Sequence, residues 1–336
     1  MPSATTPWLE PLAVVNEQNI VDRDRFETAL EKIRTRVKKP EQGLFGPDSM
    51  MWRVFGDQAG SIGALRAVLL QTAHPFIAHA VQQKSAYQTD PYGRGKRTIR
   101  AVNHWIFGDM EMALNAARIV WSVHTRITGE IANDVGPYEK GDAYAANEQH
   151  ALFWVHATTL EGPLHVYESI YGKLSRAERE RFNDESKLFA LLFGIDEALI
   201  PPTFADFQQY MQTMFDSEVV TPDAASRDIA KYLLAPKGKN DGAAMAWAKI
   251  MTAGLMPPRI RAGYAFPWGW RQAAIYNASL KAMALTVPRL PAELRGTRPY
   301  RRSMHEALGT RPGRLEKRLN RAIDRGIGGG KKRAAA

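Results

Sequence analysis

The hydrophobic pattern of this chain leaves little room for anything but helices. Apolar residues recur at spacings of three and four nearly from end to end. Alternating β-branched runs are few, and no Asn-Gly or Asp-Gly dipeptide joins two of them. Proline and glycine supply the punctuation. Residues 60–73 form a small-residue apolar helix that stops before Pro75, because proline disfavours helix in the residue before it. Pro75 then sits in the first turn of a helix over 75–84. Residues 90–96 (DPYGRGK) read as a polar, glycine-rich joint, followed by a helix over 98–107 that Gly108 ends. Asp109 is placed to cap a long helix running to Gly129, with Ala113, Ala116, Ala117, Val120, Val123 and Ile127 as its apolar set. A helix over 144–160, with Leu152, Phe153 and Leu160 on one face, is kinked or broken by Gly162 and Pro163. Ser175 and Glu178 have the spacing of a capping box and open a helix to Phe193. Helices over 206–215, 222–234 and 272–285 complete the expectation, with a polar linker at 237–241.

The expected fold class is all-α, with a single large helical domain over 45–290. An N-terminal extension and first helix precede it (1–44). A basic C-terminal arm follows (291–336), expected to be disordered from about 326. No internal repeat at 20–50 residues is present. At 336 residues, with 45% apolar and 24% charged side chains, the chain is long enough to bury a substantial core. It contains no cysteine, which removes disulfides, thiolate metal sites, iron–sulfur clusters and cysteine nucleophiles. The net charge of +10 resides wholly in residues 289–336, where 14 basic residues meet four acidic ones. A solvated arm is one reading of that tail, and a weak contact with an anionic surface is the other. No aromatic residue is interleaved after Tyr300, so no clear nucleic-acid partner is implied. The N-terminal residues lack the basic start and apolar stretch of a signal peptide, and no stretch reaches the length of a membrane span, so a cytoplasmic location is expected.

Nucleotide-binding glycine loops, nucleophile elbows and His-Glu-x-x-His pairs are missing. The histidines are more informative. His124 borders the apolar stripe of the helix after Asp109. His156 lies on the apolar face between Leu152 and Leu160, and His74 closes the helix before Pro75. Each one alone suits a hydrogen-bonded core histidine. Three together suit a metal or haem site, because a buried neutral imidazole is a good iron ligand. Arg94, Arg97 and Thr98 form a second cluster whose guanidinium groups suit carboxylates, haem propionates included; a solvated basic turn is the alternative.

Four ordered blocks resemble the family that groups the fungal mpaB oxygenase with the bacterial latex clearing proteins (rubber oxygenases). They are WRVFG at 52–56 through Gly63, Arg66 and LQTAHP at 70–75; DPYGR at 90–94 through Arg97, Thr98 and FG at 107–108; VHTRITG at 123–129; and WVHATTL at 154–160. The resemblance covers about residues 45–290. It implies an all-helical fold with a globin-like core and a b-type haem whose iron is held by His124. It also implies dioxygen and an apolar small molecule as substrates. Arg94, Arg97 and Thr98 match an Arg-x-x-Lys-Thr motif close to the haem, with Arg97 where the latex clearing proteins have lysine. By the same resemblance Arg94, Thr98 and His74 would help to hold the cofactor, and Arg94, Arg97, Thr98 and His156 would serve the reaction. The catalytic glutamate of the latex clearing proteins has no placed counterpart, so polyisoprene cleavage is not implied. A non-enzymatic helical module that binds a hydrophobic ligand or protein partner is the other reading.

Overall fold

The structure is a computed structural model that describes residues 7–9, 13–85, 91–235 and 242–333. Among the described residues sixteen α-helices account for nearly all regular structure, and the only sheet has two strands. In chain order the first helices are α1 (Arg23–Arg36), α2 (Met50–Phe55), α3 (Gly60–Thr72), α4 (Pro75–Lys84), α5 (Pro91–Phe107) and α6 (Met110–His124). A short antiparallel ribbon follows, β1 (Thr128–Glu130) with β2 (Ala143–Ala145), in which Gly129 opposes Tyr144. Then come α7 (Gln149–Tyr171), α8 (Arg176–Leu191), α9 (Phe204–Asp216), α10 (Ala224–Leu233), α11 (Gly242–Leu255), α12 (Pro258–Gly263) and α13 (Trp270–Thr286). The chain closes with α14 (Ala292–Arg295), α15 (Arg298–Leu308) and α16 (Arg314–Arg333).

The core is built around α7. Sixteen of its 23 residues are buried, so burial on all sides outweighs the cost of about 3 kcal/mol that an interior proline imposes, and the helix continues through Pro163. Its closest partner is α3. A Cβ on Gly63 would stand 2.4 Å from Gly162 O, and a Cβ on Gly162 2.9 Å from Gly63 O, so the two backbones meet where neither carries a side chain. Trp154 Nε1 donates to Leu70 O at 2.9 Å across the same seam.

Several boundaries differ from those expected. The joint at 90–96 is absorbed into α5 from Pro91 onward, because Pro91 opens the helix and the glycines there do not stop it; Asp90 itself lies outside the described residues. Asp109 caps α6 as expected, accepting from Met112 N at 2.8 Å, but α6 ends at His124. The chain then turns so that residues 128–130 pair with 143–145, which also moves the start of α7 from Tyr144 to Gln149. Tertiary pairing with a strand some fifteen residues away is invisible to a local helical period. The Ser175–Glu178 capping box is present and opens α8. The linker expected at 237–241 lies outside the described residues, and α11 after it was not anticipated.

Residues 295–303 of the C-terminal arm pack on the body, and α16 is tied to α15. Gln58 N donates to Arg295 O at 2.6 Å, and Thr297 N to Gly56 O at 2.7 Å. The Tyr300 ring packs 6.2 Å from Trp52 and 6.1 Å from Phe107. Arg301, 5% exposed, pairs with Glu316 at 3.2 Å and donates to Glu293 O and Asn320 Oδ1, so one of the arm's many cations is a buried structural tie. The backbone of α16 continues to Arg333.

Candidate functional site

His124 is the last residue of α6, and α6 lies antiparallel to α5 across the turn at Gly108 and Asp109. The two helices pack on each other, Arg94 lies in the first turn of α5, and His124 ends α6. The His124 ring lines a small cavity with Val120, Trp121, Asn147, Leu152, Leu192 and Phe193, drawn from α6, the turn before α7, α7 itself and the end of α8. The Trp121 wall is fixed: its indole stacks on Phe26 at 5.1 Å and donates Nε1 to Val21 O at 3.1 Å. Burial among apolar groups lowers the His124 imidazole to about 4, so the ring is neutral at physiological pH with a lone pair free for a metal.

His156 stands one turn after Leu152 on α7, 1% exposed. Its ring lies 5.6 Å from Phe153, 5.5 Å from Phe189 and 6.4 Å from Phe193. Phe193 therefore touches the surroundings of both histidines. His156 Nδ1 is buried without a hydrogen-bond partner, which is costly for a polar atom. Burial lowers this ring to about 3. His74 stands apart from that wall, against Phe76 and Tyr138. Its Nδ1 caps α4 by accepting from Phe76 N at 3.2 Å, and its buried Nε2 has no partner. Burial, and to a lesser degree the charge of His150, lowers it to about 3.

The basic cluster divides. Arg94 is half-buried, and burial, followed by the neighbouring Arg97, lowers its guanidinium pKa. Arg97 and Thr98 are exposed, and Thr98 Oγ1 donates to Arg94 O at 3.2 Å within its own helix. Of the three, Arg94 is the one whose desolvated cation favours a neighbouring anion.

The buried titratable groups that the sequence did not mark include Glu148 and the His79–Asp223 pair. Glu148 is fully buried and caps α7, accepting from Ala151 N at 2.7 Å, and burial raises its carboxyl to about 8. His79 Nε2 lies 3.0 Å from Asp223 Oδ2, and His79 Nδ1 accepts from Ala132 N. Glutamate is not among the favoured capping residues, and the His79–Asp223 pair spans 144 positions, so neither carried a local signal.

The lowered imidazoles of His74, His124 and His156 make one part of the acid stability predictable. An ordinary imidazole titrates near 6.5, so below that pH the unfolded chain binds protons that the folded chain refuses. The part of the stability that these rings contribute is complete above about 6.5 and is lost as pH drops toward the folded values. His156 alone contributes a slope of about 1.4 kcal/mol per pH unit across that window. A His156→Leu variant is expected to show an acid limb shallower by that slope in denaturant titrations. An unchanged slope would mean that the buried ring is not neutral.

Chemically, His124 offers one neutral nitrogen in an aliphatic and aromatic wall. A single neutral imidazole is a donor that could hold a haem iron. Among the described residues no group of three or more His, Asp or Glu side chains converges. The cavity measures about 10 Å³, enough for one water and far too small for a porphyrin.

Comparison with known proteins yields one family. The catalytic domain described as "ER-bound oxygenase mpaB/B'/Rubber oxygenase" matches residues 52–288. Neither the curated proteins nor the solved structures give a significant match.

Proposed function

This chain belongs to the mpaB/rubber oxygenase catalytic-domain family, and on that premise we propose that it is a haem-dependent oxygenase acting on an apolar small molecule, with His124 as the iron ligand. The observation that carries the reading is the neutral His124 imidazole in the apolar wall at the end of α6. Bound haem b would supply the dioxygen chemistry.

The chain's own part is to hold, orient and dry the site. Trp121, clamped against Phe26, keeps the wall beside His124 rigid. Leu152, Leu192 and Phe193 exclude water and suit an apolar substrate. Arg94, a partly desolvated cation near the start of α5, would take a propionate in a charge-assisted pair; exposed Arg97 would add positive charge nearby. Thr98 holds the local turn of α5 through its bond to Arg94 O. His156 lies one layer deeper, and its unpartnered Nδ1 is a polar atom available to whatever enters beside Phe193. His74 is assigned to capping α4 and not to the cofactor.

The visible spectrum of protein expressed with haem supplementation tests this. A Soret band with stoichiometric iron is expected, and a colourless, metal-free protein would sink the proposal. Arg94→Ala is expected to weaken haem retention several-fold more than Arg100→Ala, since Arg100 is fully exposed on α5. Equal losses, measured by haem transfer to apomyoglobin, would make the cluster a solvated turn.

A further inference from the structure

Residues 242–292 carry six basic side chains and no acidic one. The same stretch holds α13, a 17-residue helix none of whose residues is buried. Its inner side, through Tyr276, Ser279 and Met283, faces α7 and α11. Its outer side is not polar, as a water-facing helix surface normally is. Trp270 is 77% exposed, Leu285 53% and Ile275 44%, with exposed alanines at 274 and 278 between them. Beside it, α11 exposes Ala246 and Trp247, and Trp247 Nε1 donates to Ser279 Oγ at 3.0 Å, which fixes the two helices into one surface. Leu290, just beyond α13, continues the apolar strip.

The charges are interleaved with these apolar groups. Arg271 and Lys281 are exposed on α13, Lys249 on α11 and Arg289 just past α13. The Arg271 guanidinium lies 5.3 Å from the Trp270 ring centre, so a cation and an indole share one depth at the end of the helix.

We propose that the outer face of α11 and α13 seats on the surface of an anionic lipid bilayer. Exposed tryptophans prefer the headgroup level, aliphatic side chains gain by entering the acyl boundary, and lysine and arginine stems reach back to the phosphates. Among the described residues no helix is long and apolar enough to cross a bilayer, and this face does not need one, since it lies along the surface. A second copy of the chain is the poorer occupant. A two-fold contact would bring Arg271, Lys281 and Arg289 toward their own copies with no acidic residue in the stretch to answer them. The proposal stands on this face alone and does not depend on haem.

Flotation of the full chain with vesicles tests it. With mixed phosphatidylcholine and phosphatidylglycerol vesicles the protein floats, and with phosphatidylcholine alone binding falls on the order of tenfold or more. Combined Trp270→Ser, Ile275→Ser and Leu285→Ser changes abolish flotation but leave circular dichroism and melting unchanged, because none of the three is buried. Arg271→Glu with Lys281→Glu removes the preference for the anionic lipid. Deleting residues 326–336 leaves binding and folding as they are. No flotation at low salt would overturn the proposal. So would binding lost with the tail but kept in the serine variant. A concentration-dependent dimer that the serine variant dissolves, without vesicle binding, would assign the face to a second copy instead.

Discussion

Replacing His124 with alanine is expected to abolish the Soret band of haem-loaded protein while leaving far-ultraviolet circular dichroism essentially unchanged. The two readouts separate because of where the residue stands. His124 ends α6, next to a cavity and only partly covered, so its truncation removes few packed atoms. Neither neighbour replaces it. Trp121 has no free lone pair and is held by Val21 O, and the Ser122 hydroxyl accepts from Arg126 at 3.3 Å. Added imidazole should restore part of the band by entering the vacated space. His156→Ala is expected to retain the band with a shifted maximum, at some cost in stability, because that ring fills a core site between Phe153 and Phe189. If the His124 variant keeps the full band and the His156 variant loses it, the iron belongs to His156. If both keep it, neither histidine is the ligand.

A methyl group at Gly63 is expected to be among the most damaging small changes in the protein. The added Cβ would stand 2.4 Å from Gly162 O and 2.6 Å from its carbonyl carbon, both of them backbone atoms that no rotamer change can move. Ordinary carbon contacts need about 3.5 Å or more, so α3 and α7 must part by about an ångström along the seam at the centre of the core. Helix propensity pulls the other way by up to about 1 kcal/mol. The net loss should be on the order of 3 kcal/mol, several degrees in melting temperature. Gly95→Ala is the matched control. Gly95 also lies inside a helix, but nothing stands within 4 Å of its Cβ position, so alanine there should stabilise by about 0.5–1 kcal/mol. Two identical substitutions with opposite signs would place the effect in the crossing. A Gly63→Ala variant that melts with the wild type would refute the close approach.

Residues whose signals are local were legible in the sequence. Pro75 at a helix start, Asp109 as a cap and the Ser175–Glu178 box all act within four positions, and each is found where expected. What failed was non-local. Pro163 reads as a break until α7 is seen to be buried on nearly every side. Thr128 and Gly129 read as helix until their partners Ala145 and Tyr144 are known. The site divides in the same way. Periodicity put His124 and His156 inside; His156 is buried, His124 is only partly covered, and burial lowers both imidazoles. It could not tell that His74 spends one ring nitrogen on capping α4, or that Thr98 turns its hydroxyl back onto its own helix. Both bonds depend on side-chain direction, which a residue's position in a pattern does not specify.

Gly56 and Gln58 lie just inside the N-terminal edge of the family match, and their backbone partners Thr297 and Arg295 lie beyond its C-terminal edge. The stretch shared with the family and the stretch that must melt together are therefore different lengths of chain. A fragment cut at 288 would leave Gln58 N–H and Gly56 C=O without these partners and strip Tyr300 from the Trp52 and Phe107 rings. Proteolysis in the turn between α15 and α16 would act as more than trimming, because it would sever Arg301 from Glu316 in sequence while they remain paired in space. The two halves of that clasp would then be held by contact alone, and loss of α16 would uncover the buried Arg301 guanidinium that ties α15 to α16.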